Sequence, residues 1–471
     1  MPKREEVRGE DKRRSVALVL TAVALCALIG YPLYVLLVAR PSLANPSPEG
    51  NYVTADVLVA QEWAKEQHWA TKHYGVVLEA QDPEQKAGNP SVVRVGDWYY
   101  MFYTAYNGTH WGISSAKSPD GIHWTDRLIF CLSPDHVIDA GYDVTGVYQS
   151  YAVYDPGTNK IYVFFVADYY YPDWGKRVDT IFYATTSPSW PWVWTSISIA
   201  LEARDANSME HGVWQPAVTK LGNTWYMYYL GEDPRTSPGA MTRTFVATSS
   251  DLMAWTRVGV ITMSGAYGEW DIYQKVIGLG VTTVNNVVVM AYAGLLEELT
   301  SEALVGLAFS VDGETFYKSY YNPVLLRALP TEAYTMGDGS LMWEGGKLRF
   351  WYVAHDASKV PRIHYAELVP ANLDIRQIWI DWVVTSGSLH SDPICGEYEV
   401  MKLYYYADKS GTFYVYIWDE GDQDWILWSY YSYTDVGKLA GVKITPHSRM
   451  IKVVFKPGSY PATVTAWVAA Y

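Results

Sequence analysis

Three short stretches place a carboxylate five or six residues ahead of a glutamine that follows an aromatic residue. These are Asp143 before Tyr148-Gln149, Glu210 before Trp214-Gln215, and Glu269 before Tyr273-Gln274, with Asp271 between the last two. Asn89 and Asp338 open two further stretches of the same kind, Asn89-Pro-Ser-Val-Val and Asp338-Gly-Ser-Leu. Carboxyl groups can give and take protons. A side-chain amide offers both a donor and an acceptor, which suits hydroxyl groups, and an aromatic face suits the C–H bonds of a sugar ring. The combination predicts a pocket for a polyhydroxylated ligand. The alternative is that the acids form turns or pair with nearby arginines and the amides satisfy strand ends. Competing chemistry is thin. There is no His-x-x-x-His spacing on a helix for zinc, no Walker loop and no dinucleotide fingerprint. Three cysteines (Cys26, Cys131, Cys395) exclude a disulfide scaffold, though a Cys131–Cys395 bridge stays open. No cofactor is expected, with a calcium ion beside Asp338 as the one alternative.

The elements that position these residues recur. Asn89, Gln149, Gln215, Gln274 and Asp338 each begin a unit, at spacings of 60, 66, 59 and 64 residues. In each unit a turn leads to an aromatic or apolar strand such as Trp98-Tyr-Tyr-Met-Phe-Tyr or Trp225-Tyr-Met-Tyr-Tyr-Leu, and a third strand follows. Three units then carry a serine, an aspartate two residues on, and an aromatic: Ser118 to Trp124, Ser249 to Trp255 and Ser310 to Phe316. The serine and aspartate side chains are expected to bond the turn backbone while the aromatic packs between sheets. Four strands per unit in five units predict a five-bladed β-propeller over residues 85–372. Its hub should form a basin of sugar size.

Flanking segments differ in kind. Ser15–Ala39 contains no charge over 25 residues, long enough for a transmembrane helix, and six basic residues precede it. That pattern puts residues 1–14 in the cytoplasm and the bulk of the chain outside the cell, joined by a proline-rich stalk over 40–54. The alternative is a signal peptide cleaved after Ser42-Leu43-Ala44, giving a secreted protein. Residues 55–84 read as a helical lead-in, with the helix from Ala55 to about Trp69 capped by Thr54. Residues 375–471 alternate in strand fashion and predict a β-sandwich, a candidate surface for another protein. Net charge is −14; the first 40 residues hold seven basic and four acidic groups, so the remainder carries −17. Such a surface does not suit a nucleic-acid partner. Tyr (40) and Trp (21) far outnumber Phe (11), as expected of half-wet strands and sugar-facing surfaces.

With these motifs in order, the chain over about 85–370 resembles the five-bladed glycosidases around glycoside hydrolase family 43 and their invertase-like and levansucrase-like relatives. Gly337-Asp-Gly-Ser340 and Tyr352-Val-Ala-His355 are similar to that family's Gly-His-Gly-Ser and Tyr-His-Ala pair. The resemblance implies a sugar site on the propeller axis and, for hydrolysis, two carboxyl groups across the glycosidic bond. Asn89 stands where the family has a catalytic aspartate, Gln149-Ser150 where it has a second, Gln215 where it has a glutamate, and Asp338 where it has histidine. In the hydrolytic reading Glu210 serves as acid and Asp143 or Asp338 as base. Asn89, Gln149, Trp214, Gln215, Tyr273, Gln274, His211, Asp271 and His355 then contact the carbohydrate. In the alternative reading the same hub binds glycan without hydrolysis, or the protein serves adhesion. Glu232-Asp-Pro-Arg235 matches a mannoside-phosphorylase motif by letter but follows its strand, and reads as a loop.

Overall fold

The computed structural model describes residues 55–204, 208–232, 243–265, 271, 278–295, 303–396, 398, 400–419, 421–422, 424–445 and 448–470. Ser15–Ala39, the stalk, Thr54, Glu269, Tyr273 and Gln274 lie outside them. Among the described residues no helix is long and apolar enough to cross a membrane.

The chain is all-β and propeller-like. Within the lead-in only Ala55–Glu66 is helical (α1); His68–Leu78 is a strand, β1. Its residues alternate Trp69, Thr71 and His73 inward, a period-2 pattern that a helix could not bury on one side. Three antiparallel sheets of four strands follow. They are β2–β5 (Lys86–Val95, Trp98–Tyr106, Trp111–Ser118, Thr125–Leu132), β6–β9 (Val147–Asp155, Lys160–Tyr171, Lys176–Thr186, Trp194–Leu201) and β10–β13 (Gly212–Leu221, Thr224–Glu232, Arg243–Ser249, Thr256–Val260). The short α2 (Pro134–Asp139) joins the first two. A fourth sheet holds β14 (Thr262–Gly265) and β15–β18 (Gly278–Val284, Val287–Leu295, Ala303–Ser310, Thr315–Lys318). A further module, β19–β21 (Thr335–Glu344, Lys347–His355, Pro361–Ala371), receives its fourth strand from β1, which pairs along β21 from His68↔Ala371 to Leu78↔Ile363. The first strands β2, β6, β10, β15 and β19 touch one another in that order, and β19 touches β2.

Second strands explain the aromatic runs. β3 is buried from Tyr99 to Ala105 without alternation, as expected where a sheet is covered on both faces. Four of the five turns between first and second strands are two residues long and have the chemistry such hairpins demand. Asn285-Asn286 has φ of 50° and 62°, and Gly345-Gly346 has 59° and 77°. The Ser-x-Asp turns behave as expected: Ser249 Oγ donates to Asp251 Oδ1 (3.1 Å), which accepts from the Met253 and Ala254 N–H groups (2.9 Å each). Those backbone donors hold the Asp251 carboxyl below its usual range. The same bonds recur at Ser118 and Asp120 and at Ser310 and Asp312.

The C-terminal strands form two sheets, β22 (Asp374–Val384), β30 (Ala462–Ala470), β25 (Met401–Ala407) and β28 (Ala440–Ile444) in one, and β23 (Leu389–His390), β29 (Met450–Pro457), β26 (Gly411–Asp419) and β27 (Asp424–Tyr433) in the other, with β24 (Ile394–Cys395) beside β29. Here burial alternates residue by residue, as along β30, because one face meets the core and the other meets water. A parallel bridge from Ala70 to Ile375 makes β22 continuous with β1, so eight strands share one sheet. Trp69 N–H donates to the buried Asp374 (3.0 Å), which also accepts from Arg376 (3.0 Å). Cys131 lies on β5 and Cys395 on β24, with no disulfide between them.

Candidate functional site

Four of the first strands are interrupted at the same place. The ladder skips between Gly88 and Ser91 in β2, Tyr148 and Tyr151 in β6, Trp214 and Ala217 in β10, and Gly337 and Gly339 in β19. Inside each interruption a polar residue takes a positive φ: Asn89 46°, Gln149 52°, Gln215 50° and Asp338 22°. A β-bulge re-aims a side chain, and a left-handed non-glycine residue costs about 1–3 kcal/mol unless its surroundings hold it. Here they do. In β15 the interruption falls between Gly278 and Gly280, so Leu279 holds that register position.

The bulge residues form a belt of hydrogen bonds between sheets. Gln149 N–H donates to Thr104 Oγ1 (2.7 Å), and Gln215 N–H donates to Gln149 Oε1 (3.2 Å). Gln215 Nε2 donates to Asp338 Oδ1, and Asn89 Nδ2 donates to Asp338 Oδ2 (2.5 Å). Gly339 must be glycine here, since a Cβ would lie 2.3 Å from the Trp351 carbonyl oxygen. Beneath the belt the Tyr151 hydroxyl reaches across to the Val281 carbonyl (3.0 Å) and closes the floor.

Above that floor lies a recess lined by the four bulge residues with Pro90, Ser150, Tyr151, Pro216 and Gly339. It contains about 270 Å³ of free space that opens toward solvent, but its enclosed part holds only about one water. Among the described residues the enclosed part of the recess is smaller than the sugar-sized basin expected at the hub, and a sugar ring has room only at the open mouth. Burial pushes the Asp338 carboxyl up to about 6, opposed by the Asn89 hydrogen bond. Among the described residues two buried atoms of the lining have no hydrogen-bond partner, Gln215 Oε1 and Ser150 Oγ. A calcium ion does not fit. Among the described residues the recess offers one carboxylate, both of whose oxygens already face amide N–H groups, against the six to eight oxygens calcium takes.

The other candidate residues lie elsewhere. Glu210 is buried but turned to Tyr229 Oη (2.6 Å), Arg257 Nε (2.7 Å) and Arg204 (3.3 Å). Asp143 is exposed and pairs with Arg177 (2.5 Å). Neither lines the recess with Asp338, so the acid and base set of the hydrolytic reading is not assembled there. Both acids are arginine partners. His211 receives a hydrogen bond from Lys176 Nζ (2.7 Å) and stacks on Trp174. Asp271 is held by Lys318 Nζ (2.7 Å) and the Tyr292 hydroxyl (3.0 Å). His355 ends β20, its basicity lowered by burial. Trp214 and Tyr148 are half-buried beside the bulges, and the Tyr148 hydroxyl donates to Asp179, whose carboxyl burial raises. The recess also contains two hydroxyl-bearing residues outside the predicted contact set, Ser150 and Tyr151, which directly follow Gln149 and share its strand opening. Thr104, which fixes Gln149, sits on a second strand with no local signal.

No protein-family model matches the chain, and no curated protein matches it. Among solved structures it is similar to a complex of BT0996 with RGII, at 17% identity over 67% of this protein and 96% of that one with a TM-score of 0.50. It is also similar to a glycoside hydrolase (16% identity, 67% and 96% covered, TM-score 0.49) and a thermostable family-43 glycoside hydrolase (15%, 62% and 92%, TM-score 0.45). The first likeness is one of fold, and at this identity it assigns no activity.

Proposed function

We propose that this protein is a five-bladed propeller that binds carbohydrate at its axis without hydrolysing it, tethered to the cell surface by Ser15–Ala39. One observation carries the binding reading: four polar side chains on separate strands are re-aimed by matching bulges to a single recess. Left-handed backbone at Gln149, Gln215 and Asp338 is costly in a strand, and a site that converges on a ligand is a reason to keep it. Hydrolysis by paired carboxylates is not favoured, because three of the four positions are amides, which neither release nor accept a proton near neutral pH. The ring of the sugar would rest at the open mouth, with one substituent in the recess. The test is a glycan array with the full-length chain, followed by reducing-end assays on every glycan retained. Retention that is lost in Gln215→Ala, with no release of reducing ends, is the expected result. Release of reducing ends, or retention unaffected by Gln215→Ala, would refute it.

A further inference from the structure

Asp338 presents an electrostatic imbalance. Among the described residues lining the recess no lysine, arginine or histidine faces its carboxylate; its neighbours are Asn89, Gln215, Gln149, Ser150, two prolines, Gly339 and Tyr151. The one other titratable group there is the Tyr151 phenol, which burial pushes up to about 12, so it brings no charge either. A neutral group inserted above Asp338 would seal that charge further from water without compensating it. Gln215 is 8% exposed, and because its Nε2 donates to Asp338, its Oε1 is an acceptor without a donor. Ser150, 5% exposed, adds a hydroxyl without a partner. One negative charge and two further acceptors belong to side chains that line a space taking about one water.

Resting on the reading of the hub as a sugar site, we propose that the substituent seated in the recess is the protonated amine of an amino sugar, hydrogen-bonded to Asp338, Gln215 Oε1 and Ser150 Oγ. A primary ammonium has three donors and no acceptor, matching those atoms in number and kind. It is the size of a water, where an N-acetyl group is several times larger. A uronate in the same place would set like charges together. A hydroxyl fits by size but leaves Asp338 uncompensated. Binding therefore needs Asp338 ionised: affinity for the amine rises as pH climbs through about 6 and falls again where the amine loses its proton.

The experiment is calorimetric titration of the full-length chain with matched oligosaccharides of glucosamine, N-acetylglucosamine and glucose, and the corresponding galacto series, at pH 5 and pH 7. Expected is a preference of about 10- to 100-fold for the free amine at pH 7, the span of a charge-assisted hydrogen bond. That preference should shrink about tenfold at pH 5, where about one Asp338 carboxyl in ten is ionised, and to about twofold in Asp338→Asn. Equal or tighter binding of the acetylated or hydroxyl forms, or an amine preference that survives Asp338→Asn, overturns the proposal while leaving the hub as a sugar site. Calcium binding that depends on Asp338, with no amine preference, overturns it as well. Failure of all series to bind overturns the sugar site itself. If Asp338→Asn does not fold, the wild-type pH profile decides alone.

Discussion

Replacing Asp338 by asparagine should stabilise the protein at neutral pH and flatten its stability profile on the acid side. The carboxyl sits at about 6 in the fold against 3.8 in an unfolded chain, which corresponds to about 3 kcal/mol. Between about pH 4 and 6 the folded state keeps a proton that the unfolded state has lost. Stability from this group is therefore fully present below about 4 and declines as pH rises toward and through 6. Asparagine removes that charge and tolerates a positive φ at least as well as aspartate. Against the gain, asparagine offers one oxygen where the carboxylate offers two: one amide donor keeps a neutral acceptor, at a cost of about 1 kcal/mol, and the Gln215 amide must turn so that its Oε1 accepts from the new Nδ2. The net expectation is a gain of about 1–2 kcal/mol at pH 7 and none at pH 4. Guanidinium unfolding followed by tryptophan fluorescence from pH 4 to 8 measures it. A variant less stable than wild type at pH 7, or one with the same acid-side slope, would refute the picture of an uncompensated carboxylate at the hub.

Glu210→Gln should lower stability by about 2–4 kcal/mol, since it leaves Arg257 and Arg204 facing a neutral amide, yet leave glycan affinity unchanged because Glu210 does not line the recess. Thermal melts paired with the glycan titration read both effects, and a loss of affinity with intact stability would contradict this placement. Lys318→Met should cost about 3–5 kcal/mol by leaving Asp271, 1% exposed, without its cation. Asp271 is already pushed up by burial, so part of that loss should return at pH 5, where the carboxyl can take a proton; denaturant midpoints at pH 5 and 7.5 decide.

Local signals are dependable where a short stretch settles its own conformation. The aromatic second strands, the two-residue turns and the Ser-x-Asp turns can be read in order, because each depends on neighbours within about eight residues. All four bulge positions are recognisable as strand openings for the same reason. Legibility ends where partners lie far apart in the chain. Glu210 and Asp143 read in sequence either as an acid and base or as arginine partners, and only the fold decides by bringing Arg257 and Arg177 to them. His68–Leu78 reads as part of a lead-in, because its partner β21 lies almost three hundred residues on.

By itself the sequence determined the material of the site: amides at Asn89, Gln149 and Gln215, one carboxyl at Asp338, and strands bounded by turns. Those follow from residue type and period. Tertiary structure alone decided that Asp338 meets Asn89 across 249 positions and Gln215 across 123, that Tyr151 floors the axis, and that the recess is small and negative. Burial and long-range hydrogen bonding set a site's charge and size, and neither exists until the sheets have packed.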